Sequence, residues 1–146
     1  AGEFFQKFIT NNPKHELIRP AYLGIGYVML KQENYPEAIK FLELTVTDGV
    51  RDKVGAKGQL LLGECYLDQK QYDKAIVAYV KVEELYRFPQ WQSKAAYQMA
   101  VALLQEALQK EERGHERQSA RKLLKGLIMK YPNSPEAKEA GKFLNR

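Results

Sequence analysis

The pairing of Leu62-Gly63-x-x-Tyr66 with Ala75-x-x-x-Tyr79 constrains this chain more than any other feature. Between Leu62 and Ile76 it reads as two short amphipathic helices joined by a tight polar turn. Leu62, Gly63 and Tyr66 share one helical face, and Ala75, Tyr79 and Val82 share the other. Packed helices lie only about 8–10 Å apart, so the small residues Gly63 and Ala75 mark where the two approach. The pattern recurs. Ile25, Gly26 and Met29 precede Tyr35, Ala38 and Leu42; Met99, Ala100 and Leu103 precede Ala120, Leu124 and Leu127. The chain opens with Ala1, Phe5, Phe8 and Pro13, the second half of such a unit. The anchoring alanines Ala1, Ala38, Ala75 and Ala120 are separated by 37, 37 and 45 residues.

A small-residue pattern at this period, on a helix–turn–helix unit, resembles the tetratricopeptide repeat (TPR), whose unit is about 34 residues. The resemblance implies an all-α fold, an antiparallel helix-hairpin solenoid wound as a right-handed superhelix, here with about eight helices. Residues 1–13 are expected to be the second half of a repeat. Residues 19–55 and 56–92 are whole repeats, 93–134 a repeat with an insertion at 106–118, and 135–146 a capping helix. A chain that begins in mid-repeat reads as a fragment of a longer one.

Helices are expected over 2–11, 16–31, 52–68, 72–86 and 116–130. Another opens at Asn34-Tyr35-Pro36 and runs to Asp48-Gly49, with Asn34 as N-cap and Gly49 as the left-handed residue that ends it. Pro20 must fall in a first turn. Gly55 and Gly58 are expected to fray the start of 52–68. Arg87-Phe88-Pro89-Gln90 is the turn before a long helix from Trp91 to about Glu112. Its extra residues should project past the body into water. Ser134-Pro135 opens the last helix.

Two segments narrow the resemblance: LGECYLDQKQYDKAIVAYVKV and ARKLLKGLIMKYPNSPEAKEAGKFL. They look like the repeats of bacterial cell-envelope proteins, the periplasmic coordinator of the Tol-Pal system and the lipoprotein of the outer-membrane β-barrel assembly machine. A periplasmic or envelope-associated setting is what that likeness implies, ahead of a cytoplasmic one.

The residues offer little chemistry. His15 and His115 are a hundred residues apart in sequence, and no serine, threonine or cysteine stands in a nucleophile motif. The single cysteine, Cys65, excludes an intrachain disulfide and reads as a buried thiol. An enzyme, a cofactor, a metal and a small-molecule substrate are therefore not expected. No stretch approaches the roughly 20 apolar residues of a membrane span. The formal net charge is +5. Lysines and arginines alternate with Glu and Gln as on solvated helix faces, and no aromatic stacking platform accompanies them, which argues against nucleic acid.

What remains is protein–protein interaction. In the family, the first helices of successive repeats line a concave groove that takes an extended or helical peptide. Carried over position by position, the groove here is Leu23, Tyr27 and Leu30, then Leu60, Glu64 and Leu67, then Tyr97, Val101 and Leu104. This surface is apolar with one acidic point, suited to an amphipathic peptide with a basic residue. The alternative is a self-associating segment of a longer solenoid without a peptide ligand. Phe4, Phe5 and Phe8 lack the helix that would cover them, so they are expected to support a homodimer.

Overall fold

The computed structural model describes residues 3, 7, 10, 11, 17–110 and 114–145. Those residues hold seven helices and no strand: α1 (Ile18–Lys31), α2 (Tyr35–Glu43), α3 (Lys53–Asp68), α4 (Tyr72–Leu85), α5 (Pro89–Lys110), α6 (His115–Lys130) and α7 (Pro135–Leu144). Glu3, Lys7, Thr10 and Asn11 are helical as well. The expected contact through Phe4, Phe5 and Phe8 lies outside the described residues.

Each helix packs on the next, which gives the antiparallel hairpin stack. The first helices of successive hairpins also touch, α1 against α3, α3 against α5 and α5 against α7. Among the described residues the backbones of the second helices α2, α4 and α6 do not approach one another. A stack held close along one edge and spread along the other must curve, with the first helices on the inside.

The turn inside the hairpin is built twice from the same backbone. Glu33 (φ 59°) and Lys70 (φ 60°) both adopt the left-handed conformation, 37 residues apart. At each, the next residue's amide reaches back to the preceding helix: Asn34 N donates to the Met29 carbonyl at 2.9 Å and Gln71 N to that of Tyr66 at 2.8 Å. Left-handed backbone is strained for any residue with a Cβ. Lys70→Gly is accordingly expected to raise stability by about 0.5–1 kcal/mol, read as a higher melting temperature in circular dichroism.

Between hairpins the connection is tied by side chains. The expected helix from 35 to 48 stops at Glu43. Thr45, fully buried, turns its hydroxyl onto the Leu42 carbonyl at 2.6 Å, and the amides of Thr45 and Val46 close short turns onto Leu42 and Glu43. The β-branched run Thr45-Val46-Thr47 thus leaves the helix early. Gly49 is left-handed (φ 79°), but in a loop past the helix rather than at its end. Nor does Asn34 cap α2 with its side chain.

Arg19, at the start of α1, donates from Nε and Nη2 to the Thr45 carbonyl at 3.2 and 2.6 Å and from Nη1 and Nη2 to the Asp52 carboxylate at 2.7 and 3.1 Å. Asp52 Oδ1 also accepts from the Gly55 amide at 2.9 Å, so it caps α3. The Arg19 hydrogen bonds hold the Asp52 carboxyl below the usual range, with burial opposing them and the Gly55 amide assisting. A carboxyl lowered in the folded state stabilises above its unfolded pKa of about 3.9, and that stability is lost as the pH falls through the lower folded value. Asp52→Asn keeps a capping oxygen and removes the charge. It is expected to cost about 1 kcal/mol at pH 7, since the pair is partly exposed, and nothing below the folded pKa. Urea midpoints of both proteins at neutral and acid pH measure this; a constant gap would sink it.

Gly55 and Gly58 do not fray α3. Both are buried, and both let neighbours approach. A Cβ at Gly55 would lie 2.9 Å from the Tyr86 hydroxyl, and one at Gly58 would overlap the Thr45 side chain. Gly63 likewise receives the ring of Tyr79 from α4.

The core is three clusters in series. Leu30, Leu42, Leu61, Leu62 and Cys65 join the first hairpin to the second. Leu60, Tyr79, Val82 and Met99 join the second to α5. Leu124 and Leu127, set among the alanines Ala96, Ala100, Ala120, Ala137 and Ala140, join α5, α6 and α7. Burial pushes the Cys65 thiol up to about 12, so it stays protonated.

The long α5 has 22 residues, against 14 in α1 and 16 in α3. The extra turns do not simply stand in water: Ala107 is buried and Leu108 is exposed. The expected end at Glu112 lies outside the described residues. At Ser134 the capping expectation holds. Its Oγ accepts from the Ala137 amide at 3.1 Å, with Pro135 opening α7.

Candidate partner-binding face

The inner face is carried by α1, α3 and α5. Helical spacing puts Tyr27 one turn before Lys31 on one side of α1. Lys31 Nζ lies 3.5 Å from Glu64 Oε1 on α3 and 5.3 Å from the centre of the Tyr27 ring. One cation thus faces an aromatic ring and a carboxylate across the contact between successive first helices. Both charged side chains are about half exposed. Such a pair contributes roughly 0–1 kcal/mol to stability, so what it supplies is a fixed arrangement of groups. Tyr27 is 46% exposed, an aromatic ring left in water on the inside of the curve.

The acidic character extends one turn further. Burial and the neighbouring Glu64 push the Asp68 carboxyl up, and Lys31 pulls it back. The charge expected at this point of the groove is therefore present as a carboxylate pair balanced by one lysine, rather than as a free acidic point. Lys31 escaped the sequence reading because a lysine on a helix looks like any solvated lysine. Only the packing of α1 on α3 brings it to Glu64.

The other expected groove residues separate by burial. Leu30 and Leu60 are buried in core clusters, closed to any partner. A first helix packs both on its own hairpin partner and on the next first helix, and these two leucines serve that packing. Leu23 is half-buried against the first cluster and Leu67 against the second. Tyr97 and Leu104 are half-buried against the third, and Val101 is half-buried on α5 between them. Leu104 also lines a small recess with Ala107, Leu108, Arg117 and Phe143. Of the nine positions Tyr27 alone is exposed, and Glu64 is half-buried with its carboxylate reached by Lys31.

No group of three or more metal-ligating side chains occurs among the described residues. No described helix is long and apolar enough to cross a membrane.

Residues 56–88 match the tetratricopeptide repeat family model. Over that segment the chain is similar to a tetratricopeptide repeat. The matched segment begins in α3, passes through the Lys70 turn and α4, and ends in the turn before α5. Repeats of this family are in general non-enzymatic scaffolds for protein–protein interaction, and the all-helical hairpin stack is the fold that such repeats build. The Glu33 turn reproduces the repeat's own turn one unit upstream. No curated protein matches the chain.

Proposed function

We propose that the inner face of α1, α3 and α5 holds an extended or helical segment of a partner protein. Tyr27 would supply its apolar contact, and the Lys31–Glu64 pair would fix the segment's polar groups. The observation that carries this reading is the 46% exposure of Tyr27 beside that pair, on a helix that packs against the next hairpin's first helix. Aromatic side chains with a polar handle are the residues that dominate binding energy at interfaces. Leu67, Tyr97 and Val101 extend the surface along the curve. The boundaries expected for the individual repeats, and an envelope setting, belong to the same proposal. The setting is supported by the likeness of the two quoted segments to cell-envelope repeats.

Panning a random-peptide library against the chain tests the reading. Selected peptides are expected to perturb the amide resonances of Tyr27, Glu64 and Val101. Tyr27→Ala is expected to weaken them about tenfold, the range of an interface hot spot, with the melting temperature nearly unchanged. Selected peptides that leave those resonances still, or that bind Tyr27→Ala as well as the parent, would overturn it.

A further inference from the structure

The net charge of +5 is not spread along the chain. Residues 114–146 hold eight Lys and Arg against three Asp and Glu, whereas residues 1–113 hold fifteen of each. The sequence up to residue 113 is neutral, and the whole excess sits on α6, α7 and their flanks. On α6, Lys122, Lys125 and Lys130 are exposed, and Met129 beside them is 84% exposed.

Two of these residues, Lys122 and Lys130, border a recess. Because α4 and α6 do not approach, a groove of about 550 Å³ runs between them over α5. Its walls include Glu83 on α4 and Ser119, Lys122, Gly126 and Lys130 on α6; its floor includes Ala96 and Leu127. It lies on the second-helix side, opposite the inner face.

Gly126 is the informative residue. Gly26, Gly55, Gly58 and Gly63 each sit where a Cβ would strike a neighbouring side chain. At Gly126 and at Gly141 a Cβ would meet nothing within 4 Å. Glycine weakens a helix interior, and nothing inside this chain needs it at 126. What it leaves is a bare stretch of backbone in the wall of a basic groove, where another main chain can come close.

We infer that the groove between α4 and α6 docks an acidic amphipathic helix of a partner protein, laid against α6 across Gly126. Its carboxylates meet Lys122 and Lys130, and its apolar side lies toward the floor. Charge complementarity selects this occupant. A phosphate backbone would bring charge against Glu83 on the α4 wall as well as against the lysines of α6, whereas an amphipathic helix turns its carboxylates to α6 alone. A flat anionic bilayer cannot enter the recess.

The test uses a stapled Glu/Leu/Ala helix with Glu at i and i+4, and the same helix with Gln for Glu, followed by fluorescence anisotropy. The acidic helix is expected to bind at least about tenfold tighter at about 50 mM salt, and to weaken at about 300 mM. Gly126→Leu is expected to abolish most of that binding by closing the approach, with an equal or higher melting temperature. Lys122→Ala and Lys130→Ala should weaken it, and Lys125→Ala and Lys138→Ala, exposed and basic but off the groove, should not. Tyr27→Ala should have no effect, which separates this surface from the inner face. The proposal is overturned if the acidic helix binds no better than its Gln form, or if Gly126→Leu binds like the parent. It is equally overturned if oligothymidylate or phosphatidylglycerol vesicles bind more tightly than the acidic helix.

Discussion

Replacing Gly63 with valine is expected to destabilise the chain by about 3 kcal/mol, the upper end of what overpacking costs. The melting temperature should fall by roughly 6–12 °C. A Cβ at this position enters hard contact with the Tyr79 ring, at three of its carbons. Tyr79 is 1% exposed and packed among Leu60, Ala75 and Val82, so the ring has nowhere to swing. The helices α3 and α4 would have to separate. On an isolated helix a substitution away from glycine would help by up to about 1 kcal/mol, so the sign of the change decides between propensity and packing. Gly126→Ala supplies the contrast, since its Cβ meets nothing and propensity alone should raise stability there. If Gly63→Val melted with the parent protein, the close approach of α3 and α4 would be refuted.

Leu124→Ala is expected to cost about 2–5 kcal/mol, and to spend it locally. Leu124 is 2% exposed and, with Leu127, is one of two leucines buried in a cluster otherwise lined by alanines. Its removal leaves a cavity where α5, α6 and α7 meet, ringed by alanines that cannot fill it. In a stack each unit is stabilised chiefly by its neighbours, so the loss should open the C-terminal end before it reaches α3. Hydrogen exchange is the measurement. Amides in α6 and α7 should lose protection while those of α3 and α4, anchored by Tyr79 and Val82, retain it. A uniform loss across all seven described helices would show that the chain unfolds as one block.

The sequence carried the hairpins well because their determinants are local. The periodic faces of 52–68 and 72–86, the Ser134-Pro135 start and the small residue at 63 all report contacts within one unit. Where reading failed, a contact came from outside the unit. Gly55 and Gly58 look like helix breakers until Tyr86 and Thr45 are seen against them. The helix from Tyr35 runs on in the sequence pattern, yet stops at Glu43 because Thr45 satisfies Leu42 and Arg19 takes the Thr45 carbonyl. The site shows the same division. Tyr27 and Glu64 could be placed on a face by counting. Leu30 and Leu60 occupy the same stripe but are sealed by the next hairpin, and Lys31 reaches Glu64 only through that packing.

The one-sided contact between hairpins also has a mechanical meaning. With α1, α3, α5 and α7 in continuous touch and α2, α4 and α6 apart, the inner helices form a hinge line and the outer ones move like the ribs of a fan. Flexing about that line changes the spacing of the ribs far more than the spacing along the hinge. An object wedged between two ribs would therefore act as a stop that sets the curvature. A load pulling the ends of the stack apart would act across the Arg19–Asp52 pair and the buried cluster behind it, which together tie the first hairpin to the second.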